Sequence, residues 1–148
     1  MTSATRPVPS LPILLVDDEE HVLDITRMTL RSKGITNVIT LNDSRRVMPL
    51  LELEKQQVSL VMLDLMMPSV DGYAVLDSLS RLVSSDDLVP VIVLTADASV
   101  AARRRALALG ARDFVSKPFD LIEVALRISN LLEMRMLHRR LMARISAT

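Results

Sequence analysis

Ile13-Leu14-Leu15-Val16-Asp17-Asp18 is a run of four apolar residues followed at once by two acids. A continuous apolar run with β-branched members suits a strand covered on both faces, as in a parallel sheet; a strand with one wet face would alternate. Runs of the same kind recur at Val38-Ile39-Thr40-Leu41, at Leu60-Val61-Met62-Leu63, at Val91-Ile92-Val93-Leu94 behind Pro90, and briefly at Phe114-Val115. The segments between them carry helical spacing instead. Val47, Leu50 and Leu51 form one such set; Val75, Leu76, Leu79, Leu82 and Val83 form a second; Ile122, Ala125 and Leu126 begin a third. Gly34 and Gly110 fall just past two helix ends, where a left-handed cap residue is wanted. Alternating β and α predicts a (βα)5 α/β domain: a doubly wound parallel sheet with helices on both faces.

The rest of the composition is compatible with that core. The chain has 148 residues, 49% of them hydrophobic but only 2% aromatic, so Leu, Val, Ile, Met and Ala must fill the interior. Eighteen basic residues balance eighteen acidic ones, which gives no bulk charge for direct nucleic-acid binding. There is no Cys, and no apolar stretch reaches the roughly 18 residues of a membrane span. A cytoplasmic protein without a membrane segment is expected. Residues 1–11, with Pro7 and Pro9 among Ser and Thr, read as a disordered leader, and no apolar region there marks a signal peptide.

In an open parallel sheet, sites form outside the carboxyl ends of the strands. Here those ends bring Asp17-Asp18, Asp64 and Thr95-Ala96 to one edge, and Lys117-Pro118 follows the fifth strand. Carboxylates gathered in one pocket repel unless a cation joins them. Hard oxygen ligands at this density suit Mg2+, and Lys117 adds a second positive charge beside Asp64. A carboxylate so placed can act as a nucleophile and carry a phosphoryl group, whose transfer is mostly a matter of positioning and electrostatics. Glu19 and Glu20 read as acids of a helix N-terminus.

The ordered set Asp17-Asp18, Asp64-Leu65-Met66-Met67-Pro68 with Asp71-Gly72, Thr95-Ala96, and Gly110-Ala111-Arg112-Asp113-Phe114-Val115-Ser116-Lys117-Pro118-Phe119 resembles the receiver domain of response regulators over residues 12–132. The resemblance implies a flavodoxin-like sheet of order 2-1-3-4-5. It also implies that Asp64 accepts a phosphoryl group from the phosphohistidine of a sensor histidine kinase or phosphotransfer protein. Asp17, Asp18, Asp64 and the backbone carbonyl of Met66 would hold Mg2+. Thr95 and Ala96 would meet the phosphoryl group, with Lys117 paired to it. Phe114 would be the aromatic switch and Pro118 would follow a cis bond. Two positions depart from the common pattern: Met66 fills a variable site that influences phosphoryl loss, and Phe114 replaces the frequent Tyr, so the switch has no hydroxyl.

Blander readings apply elsewhere. The Met residues read as core filler, His21 and His138 as isolated, and Arg103-Arg104-Arg105 as a solvated helix face. A phosphoaspartate hydrolase is the rival reading, but Asp64-Leu65-Met66 lacks its second Asp and no segment is free to form a cap. A phosphorylation-independent interaction module is the weaker alternative; neither it nor the leading reading makes the chain an enzyme in the ordinary sense.

Residues 133–148 continue without a helix breaker as a C-terminal helical extension. Met134, Leu137, Leu141 and Ile145 make one apolar stripe along it. A stripe beyond the domain wants a partner, either a second copy in a homodimer or the start of an effector that this chain lacks. In the resemblance, the fourth helix, fifth strand and fifth helix form the face that responds to phosphorylation.

Overall fold

A computed structural model of the chain describes residues 11–67, 71–82 and 89–147. The expected leader, apart from Leu11, together with Pro68, Val83 and Thr148, lies outside the described residues. Five strands, β1 (Ile13–Val16), β2 (Val38–Leu41), β3 (Leu60–Asp64), β4 (Val91–Thr95) and β5 (Asp113–Ser116), form one sheet in the order β2-β1-β3-β4-β5. Every neighbouring pair is parallel, with Val16 level with Leu41 and Leu63, and Asp64 level with Leu94.

The apolar runs are continuous because successive residues feed two different cores. Leu14 and Val16 of β1, Val61 and Leu63 of β3, and Val91 and Val93 of β4 pack with α2 (Gly72–Leu82) and α3 (Val100–Ala108). Ile13 and Leu15, Leu60 and Met62, and Ile92 and Leu94 pack on the other face with α1 (Glu20–Ser32) and α4 (Leu121–Ala147). This is the doubly wound arrangement expected.

The helix ends also follow the sequence. Gly34 has φ +85° and Gly110 φ +107°, and the amides that follow them, of Ile35 and Ala111, return to the carbonyls of Leu30 and Ala106 at 3.0 Å each. Gly72 is needed for a different reason: a Cβ there would sit 2.5 Å from the backbone of Leu65, so only glycine lets α2 start this close to the end of β3.

The second crossover corrects the expectation of a helix through Val47, Leu50 and Leu51. It is a 3-10 turn, Ser44–Arg46, followed by a π-helical segment, Pro49–Leu53. Pro49 has no N–H to donate, which interrupts an α ladder, and the Glu54 amide bonds the carbonyl of Pro49 five residues back at 3.1 Å. Lys55, with φ +57°, ends the segment. The expected fourth and fifth helices are therefore α3 and α4. α4 is one uninterrupted helix of 27 residues, roughly 40 Å at 1.5 Å per residue. Its buried apolar side chains, Val124, Ala125, Ile128 and Leu132, stop at Leu132 while the helix runs on.

Candidate functional site

Sheet register sets the site. Val16 and Leu63 are paired, so the residues that follow them, Asp17 and Asp64, leave adjacent strands side by side. Thr95 ends β4 beside them, and Lys117 follows β5. The Lys117 amide donates to the Thr95 carbonyl at 2.7 Å, which ties the lysine to the end of β4. The Lys117–Pro118 peptide is cis.

Asp17 is wholly buried and Asp64 is 2% exposed. In each carboxylate one oxygen is held by the backbone two residues on: Asp17 Oδ1 accepts from the Glu19 amide, and Asp64 Oδ1 from the Met66 amide, both at 2.9 Å. The other oxygens face Lys117 Nζ, at 2.9 Å from Asp17 Oδ2 and 3.1 Å from Asp64 Oδ2. Glu19 Oε1 lies 3.6 Å from the same ammonium. Thr95 is buried, and its Oγ1 accepts from the Asp97 amide at 3.1 Å.

The electrostatics follow from burial. Taking the Asp17 carboxylate out of water pushes its pKa up to about 6, although the Glu19 amide and Lys117 pull it down; the nearby Asp64 charge adds to the rise. Lys117 is shifted the opposite way from what burial alone would do. Its bonds to Asp17 and Asp64 and their charges outweigh desolvation and raise its pKa.

One ammonium among Asp17, Asp18, Glu19 and Asp64 leaves the edge short of positive charge. Carboxylate oxygens of Asp17, Asp18 and Glu19 lie within 4.8 Å of one another, a hard-oxygen set of the kind a divalent cation takes. Asp64 is close to Lys117, whereas Glu19 stands with the two aspartates. Glu19 does occupy the N-cap position of α1, but its side chain makes no capping hydrogen bond. Glu19 is thus the helix-end acid expected, and its carboxylate also stands beside those of Asp17 and Asp18. Asp97 was missed: its carboxylate is held low by the backbone and hydroxyl of Ser99, and its amide fixes the Thr95 hydroxyl.

The other expected site residues are distributed around this edge. Asp18, Met66 and Ala96 are exposed. Phe114 is half-buried, opposite Val93 in register, and packs against the core under α2 and α3. Ser99 caps α3 by accepting from the Ala102 amide at 3.1 Å, which fixes the start of the helix that follows Thr95.

Comparison with known families places this geometry: the response regulator receiver domain matches residues 13–129. The chain belongs to the response regulator receiver family. It is a receiver domain of the two-component class, whose members are generally non-enzymatic signalling proteins. "Probable transcriptional regulator ycf27" of Cyanophora paradoxa is 42% identical over 120 residues, covering 81% of this chain and 47% of that protein. Response regulator SaeR of Staphylococcus aureus is 36% identical over 120 residues, covering 81% of this chain and 50% of that protein. The receiver thus spans about half the length of the curated relatives it matches. Its fold is shared with a CheY-like receiver domain protein from Methanospirillum hungatei, with a TM-score of 0.75, 24% identity, and coverage of 86% of this chain and 98% of that one.

Proposed function

We propose that this receiver is switched by phosphorylation of Asp64. The observation that carries the reading is the buried Asp64 carboxylate, whose Oδ2 lies 3.1 Å from Lys117 Nζ. In the transfer, an oxygen of Asp64 forms the new P–O bond as the P–N bond of a donor phosphohistidine breaks; the departing imidazole keeps the bonding pair and takes up a proton. Lys117 supplies fixed positive charge to the phosphoryl oxygens, and the Thr95 hydroxyl is placed to donate to one of them once it turns from the Asp97 amide.

Asp17 and Asp18 would hold Mg2+, with Glu19 beside them and with Asp64 and the Met66 carbonyl as further oxygen donors; the acidic triad fits such an ion. When bound, the ion adds positive charge against the transferring group. The donor is a sensor histidine kinase or a phosphotransfer protein, and the setting is the cytoplasm. No helix among the described residues is long and apolar enough to cross a membrane. Phe114 and Ala96 would convey the change to the face of α3, β5 and α4, and the extension of α4 would carry it to a second copy or to an effector. The relatives' greater length supports a continuation of that kind.

Acetyl phosphate with Mg2+ tests the assignment. Intact mass of the wild-type chain should gain one phosphoryl group and Asp64→Asn should gain none. An unchanged phosphorylated peak in the variant would remove Asp64 from its role.

A further inference from the structure

Thr95 has little freedom except in its side chain. Its backbone ends β4, which runs between β3 and β5, and its carbonyl accepts from the Lys117 amide at 2.7 Å. A change at Thr95 is therefore a turn of its hydroxyl, away from or onto the Asp97 amide that lies 3.1 Å from Oγ1. Beyond that amide the hydrogen bonds continue. Asp97 Oδ1 accepts from the Ser99 amide at 3.0 Å, and the Ser99 hydroxyl donates to the Asp97 carboxylate as well. The same hydroxyl accepts from the Ala102 amide at 3.1 Å, in the first turn of α3. The two bonds from Ser99 hold the Asp97 carboxyl below the usual carboxylate range, so it is an ionised acceptor at neutral pH.

α3 depends on this chain of bonds because little else seats its first turn. Of its nine residues only Ala102 and Ala106 are buried, and alanine brings little apolar surface. Its second half has a further hold, Arg105 standing 4.0 Å over the Tyr73 ring of α2. Ala102 is thus both a seat of the helix and the amide tied to Ser99.

We infer that Asp97 is a positioning residue for the Thr95 hydroxyl and, with Ser99, ties that hydroxyl to the first turn of α3. The inference rests on the reading of Asp64 as the phosphoryl acceptor. In the resting chain the bonds from Ser99 fix the Asp97 turn, the turn fixes its amide, and the amide holds the Thr95 hydroxyl back. When the hydroxyl turns to a phosphoryl oxygen, the Asp97 amide loses its acceptor and the cap of α3 is released with it. Holding the hydroxyl back opposes phosphorylation by as much as the turn costs.

The test uses the full chain with beryllofluoride and Mg2+, titrated by 1H–15N shifts. Asp97 and Ser99 are exposed, so their substitution leaves the core intact. Asp97→Ala removes both bonds from Ser99 and should tighten beryllofluoride binding about fivefold, the worth of one net hydrogen bond. Asp97→Asn keeps an accepting oxygen without the charge and should stay within about twofold of wild type. In a Thr95→Ala background, Asp97→Ala should change nothing. Without the mimic, the Ala102 amide should exchange about fivefold faster in Asp97→Ala and at the wild-type rate in Asp97→Asn. An Asp97→Ala effect that persists without the Thr95 hydroxyl, or that Asp97→Asn reproduces, would overturn the inference in favour of a simple charge effect. Unchanged binding and exchange in Asp97→Ala would overturn it outright. A wild-type chain that takes no beryllofluoride would instead remove the reading of Asp64, and the exchange rates, measured without the mimic, would judge the chain of bonds by themselves.

Discussion

Asp17 shows how far one residue's chemistry was readable. Its type and its place at a strand end were plain in the sequence, and so was the need for a cation among clustered acids. Its burial was not, because burial depends on which strands flank β1. The consequence is a pH dependence with a definite sign. A carboxylic acid whose pKa rises to about 6 from the ordinary 3.8 binds its proton more tightly in the folded protein than in the unfolded chain. Its favourable contribution is fully present below the ordinary value and is lost as pH rises from there through about 6. Asp43 and Asp97 are shifted the other way, Asp43 chiefly by its Arg45 partner and Asp97 chiefly by the Ser99 amide. Their contributions are lost only on going below the ordinary carboxylate range, so the two effects separate by pH. Melting in a chelator should fall as pH rises between about 4 and 6, and Asp17→Asn should flatten that slope. Mg2+ should restore more stability near pH 7.5 than near pH 5, because below about 6 the proton competes with the ion for Asp17. An equal Mg2+ gain at both pH values would count against Asp17 as a ligand, and an equal gain in Asp18→Ala would count against the whole acidic triad.

At the scale of elements, the strands were legible because each is buried on both faces and so carries an unbroken apolar run. The helices α1 and α3 were legible at their glycine ends, where a left-handed residue is required. The second crossover was not. Val47, Leu50 and Leu51 keep helical spacing, but Pro49 sits among them and removes a donor that an α ladder needs; the apolar pattern reports which side faces the core, not which hydrogen bonds close the turns. In α4 the expected stripe of Ile122, Ala125 and Leu126 missed the buried face: only Ala125 of the three is buried, and it packs on the sheet with Val124, Ile128 and Leu132. Leu132 is 4% exposed and Leu141 is 56% exposed on the same unbroken helix. Leu132→Ala should therefore destabilise the domain by about 2–5 kcal/mol, and Leu141→Ala should change monomer stability by no more than about 0.5 kcal/mol. Urea unfolding at low protein concentration distinguishes them. Comparable losses would mean that the extension packs on the domain as firmly as the first half of α4.

For the whole molecule, the open question is what covers the extension. Met134, Leu137, Leu141 and Ile145 are all more than half exposed, and Ile122 and Leu126 continue the exposed apolar face up the same helix. Burying side chains of this size contributes about 1.5–3 kcal/mol each, and association costs a comparable total, so a parallel homodimer through the extension alone should be weak. The net charge of the chain is zero, but residues 133–148 hold Arg135, Arg139, Arg140 and Arg144 against Glu133 alone. Two parallel extensions therefore repel, and salt should tighten their pairing by screening that repulsion. If phosphorylation rearranges the face of α3, β5 and α4, it must favour one arrangement by roughly 1–3 kcal/mol to act as a switch. Sedimentation of the wild-type chain should show a monomer–dimer equilibrium that strengthens with salt and with a beryllofluoride mimic of the phosphoryl group. Leu137→Ser with Leu141→Ser should return the chain to monomer under every condition, with no loss of folding, because neither side chain belongs to a core. A wild-type chain that stays monomeric at high salt with the mimic bound would exclude the homodimer and assign the stripe to an effector or another protein.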